Sequence, residues 1–136
     1  PYGRVLVAID DSPAARLALD RAFALASLCR SVVGLLHVVE QPVVAASLET
    51  GSAYQQAALE VLRQHGERLL EEASARFEAA GLAVERLLVD GLGGRVADHV
   101  VDMARSWEAD AIVLGTHGRR GLPRLLIGSD AEQVLR

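Results

Sequence analysis

Lysine and asparagine are both absent from this sequence of 136 residues, and all 14 of its basic residues are arginine. The absence of lysine excludes a Walker A phosphate loop, a Schiff-base enzyme and the strand lysine of a protein kinase. Cysteine is scarce too, since Cys29 is the only one. A single cysteine excludes a disulfide within the chain and any metal site built from several cysteines.

Long apolar runs and an excess of positive charge are also missing. No apolar run approaches the roughly 20 residues of a membrane span, and the N-terminus lacks a signal-peptide pattern. We therefore expect a cytoplasmic protein with no membrane partner. The net charge is −4 and the pI is about 5.5, which argues against binding to nucleic acid. The length predicts a single domain spanning residues 1–136.

Apolar strands alternate with helical patterns along the chain. Near-continuous apolar runs predict strands at residues 4–9, 32–39, 82–89 and 110–114. Helical patterns predict helices from Pro13 to about Cys29, from about Ala53 to Ala80, from Val96 to Trp107, and from Ser129 onward. This alternation predicts an α/β protein with right-handed βαβ crossovers and a doubly wound, mostly parallel sheet.

Serine, proline and glycine give local structural signals. Ser12 followed by Pro13 is typical of a helix start, with the serine as N-cap. Gly66 lies inside the long predicted helix, where glycine is less favourable than alanine by about 1 kcal/mol. A close contact between this helix and the sheet would explain it. Gly81 follows the end of the same helix, as a C-terminal cap does.

The loop 115–128 is the richest candidate for a ligand site, because ligands of open α/β sheets bind beyond the carboxyl ends of the strands. Its glycines allow a ligand to approach the backbone closely. Three arginines in the same loop add fixed positive charge: Arg119, Arg120 and Arg124. Gly128-Ser129 opens the last predicted helix, whose free N–H groups attract anions. The loop therefore predicts a phosphate cradle that needs no lysine.

The spacing Gly115-x2-Gly118-x9-Gly128-Ser129 resembles the signature of nucleotide-binding universal stress proteins. The first strand and its acidic end, Val7 to Ser12, resemble that family as well. So do the second strand, at Leu36 to Val39, and the fourth, at Asp110 to Gly118. The resemblance covers most of the chain and is least specific in the loop 40–52 and the long helix.

This resemblance implies a Rossmann-like fold of the adenine nucleotide alpha-hydrolase-like type, with strand order 3-2-1-4-5. ATP or another adenine nucleotide would lie between the first and fourth strands, with Mg²⁺ bridging its phosphates and no metal ligand from the protein. Asp10 would face the ribose or adenine, and Ile9 and Val38 would line the base. The ribose and phosphates would be surrounded by Gly115, His117, Gly118, Gly128, Ser129, Asp130 and Ala131.

Two features depart from the family pattern. Asp130 stands where the family often has an apolar residue, and its carboxylate would repel a neighbouring phosphate. The fifth strand of the family follows the last helix and often contributes to dimer contacts, and we expect this chain to lack it. The resemblance nevertheless implies a homodimer.

The sequence offers no nucleophile elbow and no Ser–His–Asp set, so we expect a regulatory nucleotide-binding module with at most slow ATP hydrolysis. Two alternatives remain open. One is a dimeric interaction module of the same fold that binds no nucleotide. The other is a response-regulator receiver-like domain, whose acidic pair and phosphoacceptor would be Asp10-Asp11 and Asp90. That alternative needs the strand order 2-1-3-4-5, in which Asp90 lies beside Asp10-Asp11.

The four histidines do not form a zinc pattern. His117 lies inside the glycine signature and is interpreted as a ligand contact. His37 lies in a buried strand and is interpreted as a core residue. We interpret His65 and His99 as surface or packing residues of helices.

Overall fold

The computed structural model describes residues 2–40, 51–91, 95–115 and 125–126. The elements follow the order β1 (Arg4–Ala8), α1 (Pro13–Cys29), β2 (Val32–Glu40), α2 (Gly51–Ala79), β3 (Val84–Gly91), α3 (Val96–Ser106), β4 (Ala111–Gly115) and β5 (Leu125–Leu126). The predicted strands and the first three predicted helices are confirmed, each within a few residues of its predicted bounds. The predicted last helix, from Ser129, lies outside the described residues.

The sheet has the strand order β3-β2-β1-β4-β5. Strands β1 to β4 pair in parallel, with Ala8 of β1 aligned with Leu36 of β2 and with Leu114 of β4. The predicted order 3-2-1-4 is therefore confirmed. Strand β5 pairs antiparallel with β4 and lies within the range predicted as a loop.

The two faces of the sheet carry different helices. Side chains alternate between the faces along each strand, so Val5 and Val7 of β1, with Ile9 just beyond its end, pack with the buried alanines of α1 and with Phe77 of α2. Leu6 packs on the opposite face with Val100 and Trp107 of the α3 region. Helices α1 and α2 thus cover one face and α3 covers the other, as in a doubly wound fold.

The helix ends follow the local chemistry of the sequence. Ser12 is the N-cap of α1, and its Oγ accepts a hydrogen bond from the Ala15 N–H at 3.2 Å. Gly81 has a φ of 78° beyond the end of α2. The N–H of Leu82 donates to the Phe77 carbonyl at 3.0 Å, and that of Gly81 donates to Glu78 at 2.9 Å. These two bonds form a Schellman motif, which confirms Gly81 as the predicted cap.

Candidate functional site

The strand order reverses between β1 and β4, because the chain proceeds from β1 through β2 to β3 and then returns to the other side of β1. Ligands of such sheets bind in the crevice at this reversal, outside the carboxyl ends of the strands. Asp10 follows β1 by two residues and Gly115 ends β4. The structure therefore brings these two predicted site residues to the same edge, on neighbouring strands.

Asp10 is exposed and forms part of the turn that leads from β1 into α1. Its Oδ1 accepts a hydrogen bond from the Ser12 N–H at 2.8 Å. Asp and Asn side chains commonly stabilise turns by this bond to the main chain two residues ahead. A carboxylate accepts further hydrogen bonds at its other oxygen. Asp10 therefore has the chemistry to accept a bond from a ligand hydroxyl or amine.

Gly115 owes its identity to a close approach of α1. A Cβ at this position would lie 2.5 Å from the Ala14 carbonyl oxygen and 2.8 Å from the Ala14 Cβ. The glycine spacing predicted the approach of a ligand at this position, whereas the contact in the structure is with the first turn of α1. Gly115 thus allows the end of β4 to pack against the start of α1.

Ile9 and Val38 are both buried, with 6% and 7% of their surface exposed. They lie on opposite faces of the sheet: Ile9 packs in the core beneath α1 and α2, and Val38 packs in the core beneath α3. The register explains the separation, because Ala8 aligns with Leu36 and Ile9 is therefore level with His37. The structure brings both residues to the same edge of the sheet but does not join their side chains in one wall.

The other predicted site residues lie outside the described part of the chain and stay predictions: His117, Gly118, Gly128, Ser129, Asp130 and Ala131. The arginines of the same loop, Arg119, Arg120 and Arg124, also lie there. The described residues at this edge of the sheet are therefore those that follow β1 and those at the end of β4.

A cleft of about 290 Å³ lies between α1 and α2, next to Asp10. Its apolar lining includes Leu69 and Phe77, and its charged lining includes Arg16 and Glu72. The full set is Ile9, Asp10, Asp11, Arg16, Leu19, Leu69, Glu72, Ala73, Arg76 and Phe77. This cleft was not predicted from the sequence, because its walls come from two helices whose spacing no local pattern encodes.

Asp90 lies at the end of β3 and forms an ion pair with Arg63 of α2, with Oδ2 2.9 Å from Nη2. This hydrogen bond and the charge of Asp90, assisted by Glu60, raise the pKa of the Arg63 guanidinium above its ordinary value. Strand β2 separates β3 from β1, so Asp90 does not lie beside the Asp10-Asp11 turn. The receiver-like alternative is therefore wrong.

Two histidines approach the end of β1. The Nε2 of His65 lies 3.5 Å from the Asp11 carboxylate, so this exposed helix residue has a partner on the turn. The Nδ1 of His37 lies 2.9 Å from the Ile9 carbonyl oxygen. Within the described ranges, no group of three or more His, Cys, Asp and Glu residues could hold a metal ion. None of the helices described is both long and apolar enough to cross a membrane.

The topology and the placement of Asp10 and Gly115 define a doubly wound α/β protein whose strand order reverses between β1 and β4. The chain belongs to the universal stress protein family, whose profile matches residues 1–136. The resemblance drawn from the glycine spacing and the strands is thereby confirmed.

Relatives support the same fold along the whole chain. Universal stress protein Sll1388 of Synechocystis is 30% identical over 145 residues, which cover 98% of this chain and 91% of the relative. A solved structure from the universal stress protein family of Burkholderia pseudomallei is 30% identical, with a TM-score of 0.76, and the match covers 99% of this chain and 89% of that one. A universal stress protein solved in complex with cAMP is 22% identical, with a TM-score of 0.62, over 89% of this chain and 81% of that one. The last likeness establishes the fold alone.

Proposed function

We propose that the protein binds ATP with Mg²⁺ as a regulatory ligand, in the crevice between the ends of β1 and β4. One observation carries this proposal: the order 3-2-1-4 places Asp10 and Gly115 on either side of the strand reversal. Family membership supports it. A universal stress protein of the same fold was solved with the adenine nucleotide cAMP, so the fold accommodates this class of ligand in that protein.

Each part of the nucleotide has a proposed partner. The exposed Asp10 carboxylate accepts a hydrogen bond from the ribose or the adenine. Ile9 and Val38 lie at the sheet edge next to the base, one on each face of the sheet. Main-chain N–H groups at residues 129–131 and the Ser129 hydroxyl donate to the phosphates, as helix N-termini commonly do. Mg²⁺ binds the phosphates with water as its remaining ligands.

The regulatory role follows from the same arrangement. Bound ATP stabilises the loop 115–128 and so changes which partner the protein meets. Hydrolysis of ATP is at most slow in this proposal. The protein acts in the cytoplasm as a homodimer.

Calorimetric titration of nucleotide-free protein with ATP–Mg²⁺ tests the binding. We expect micromolar affinity for ATP and little heat from GTP. The double variant Gly118→Ala, Gly128→Ala should lose binding, because added Cβ atoms would obstruct the approach of the phosphates to the backbone. Gly3→Ala is the matched control, since Gly3 precedes β1 at the opposite edge of the sheet.

The alternative, an interaction module that binds no nucleotide, predicts a different result. Wild-type protein would then give neither heat nor thermal stabilisation with ATP, ADP or AMP, and the proposal would be wrong. In that case Asp130→Val is the next variant, because removal of a carboxylate beside the phosphates should restore binding if repulsion alone prevents it.

A further inference from the structure

The His37 side chain forms a hydrogen bond with a main-chain carbonyl just beyond the end of β1. Its Nδ1 lies 2.9 Å from the oxygen of Ile9. Because a carbonyl oxygen only accepts hydrogen bonds, Nδ1 carries the proton and donates. The bond spans 28 residues of sequence and connects β2 to the residue just before Asp10.

This bond replaces a ladder bond of the sheet. The pairing of β1 with β2 ends at Ala8 and Leu36, and the last main-chain bond runs from the Ile9 N–H to the Leu36 carbonyl at 2.8 Å. In a regular parallel ladder the Ile9 carbonyl would next accept from the Val38 N–H. The structure has the imidazole of His37 there instead. The chain therefore leaves the sheet at Ile9, and the Ile9 carbonyl oxygen still accepts a hydrogen bond, from the His37 ring.

Gly66 of α2 makes room for the imidazole. A Cβ at Gly66 would lie 2.5 Å from the His37 Cδ2, 2.9 Å from the Leu88 Cδ1 and 3.2 Å from the His37 Nε2. Any other residue here would force the ring to move, although glycine is a poor residue for a helix interior. Strand β2 and helix α2 thus both constrain the orientation of this one ring.

We propose that His37, with the space provided by Gly66, is a positioning residue for the nucleotide site. It fixes the direction in which the chain leaves β1, and so it places the Asp10 carboxylate that accepts from the nucleotide. The hydrogen bond from the Ser12 N–H to the Asp10 carboxylate then connects Asp10 to the N-cap of α1. This inference rests on the proposed function, because it assigns a role within the same site.

Substitutions at residue 37 separate positioning from packing. His37→Leu fills the space but cannot donate, whereas His37→Asn keeps an N–H close to the position of Nδ1. At a temperature where all variants are folded, we expect His37→Leu to weaken ATP binding at least tenfold. We expect His37→Asn to stay within threefold of the wild type. The amide hydrogen exchange of Asp11 and Ser12, measured without nucleotide, should accelerate in the leucine variant and recover in the asparagine variant.

Gly66 provides an independent second test. Gly66→Ala should weaken ATP binding in the wild-type background, because the added Cβ displaces the imidazole. In the His37→Ala background the same change should weaken ATP binding much less, because the ring is gone and the remaining close contact is with the flexible end of the Leu88 side chain. Non-additivity of this kind is the signature of two residues acting through one contact.

The measurements distinguish a failure of the proposed function from a failure of the positioning role of His37. If the wild type binds no adenine nucleotide, the proposed function is wrong. If the wild type binds ATP and His37→Leu binds it equally well with unchanged amide exchange, the proposed function stands and the positioning role is wrong. Equal weakening in the leucine and asparagine variants would show that the ring packs but does not position, and would also overturn this inference.

Discussion

At two glycines of this protein, the absence of a Cβ atom allows two elements to pack closely together. Gly66 was predicted to mark a close contact between helix and sheet, and the contact with His37 confirms it. Gly115 was predicted from the phosphate signature, but its described neighbour is Ala14 of α1. The same residue type therefore serves packing at a position where the motif assigns it to a ligand. Sequence alone does not separate the two uses, because both need only the absence of a side chain.

Gly115→Ala tests the packing role. A Cβ 2.5 Å from the Ala14 carbonyl oxygen would force β4 and α1 apart. We expect the free energy of unfolding to fall by about 1–3 kcal/mol, the usual cost of overpacking. Urea denaturation of this variant beside Gly3→Ala provides the measurement. Equal stability of Gly115→Ala and the wild type, without any ligand, would contradict the described contact.

At the scale of elements, the pattern of apolar residues was a sufficient guide to β1–β4 and α1–α3. The cap residues Ser12 and Gly81 located two of the helix ends. Strand β5 was missed because Leu125–Leu126 lies in a glycine- and arginine-rich segment, and its pairing depends on the tertiary position of β4. The α1–α2 cleft and the His37–Ile9 bond were missed for the same reason, since each joins elements distant in sequence.

The end of α3 offers an element-scale prediction. Glu108 has a φ of 57°, a left-handed conformation that is unfavourable for a residue with a Cβ. It occupies the capping position that Gly81 occupies after α2, and the Ala109 N–H donates to the Ala104 carbonyl at 2.9 Å. Glu108→Gly should therefore raise the free energy of unfolding by about 0.5–1 kcal/mol.

Thermal and urea unfolding measure this gain, with Glu71→Gly as the control. Glu71 lies inside α2, where the same exchange should lower stability by about 1 kcal/mol. A loss of stability in both variants would show that Glu108 contributes a contact that outweighs its backbone strain.

At the scale of the whole molecule, the order of the strands determines which candidate site residues lie next to each other. Because β2 lies between β1 and β3, the Asp90–Arg63 pair is separated from the Asp10 turn. Because β4 lies beside β1, Asp10 and Gly115 lie at the same edge of the sheet. The alternation of strands and helices predicted the doubly wound class, but not which strands are neighbours. The order was predicted only through the family resemblance, since connection lengths alone fit more than one doubly wound topology.

The most direct test of the account is amide hydrogen exchange of the wild-type protein with and without saturating ATP–Mg²⁺. We predict at least tenfold slower exchange at Asp11 and Ser12, which follow β1, and across residues 115–131. Exchange in the middle of α3, on the far side of the sheet from α1, should not change. Protection confined to both sides of the crevice would establish nucleotide binding between β1 and β4. Unchanged exchange at 115–131 in the presence of saturating ATP would contradict it.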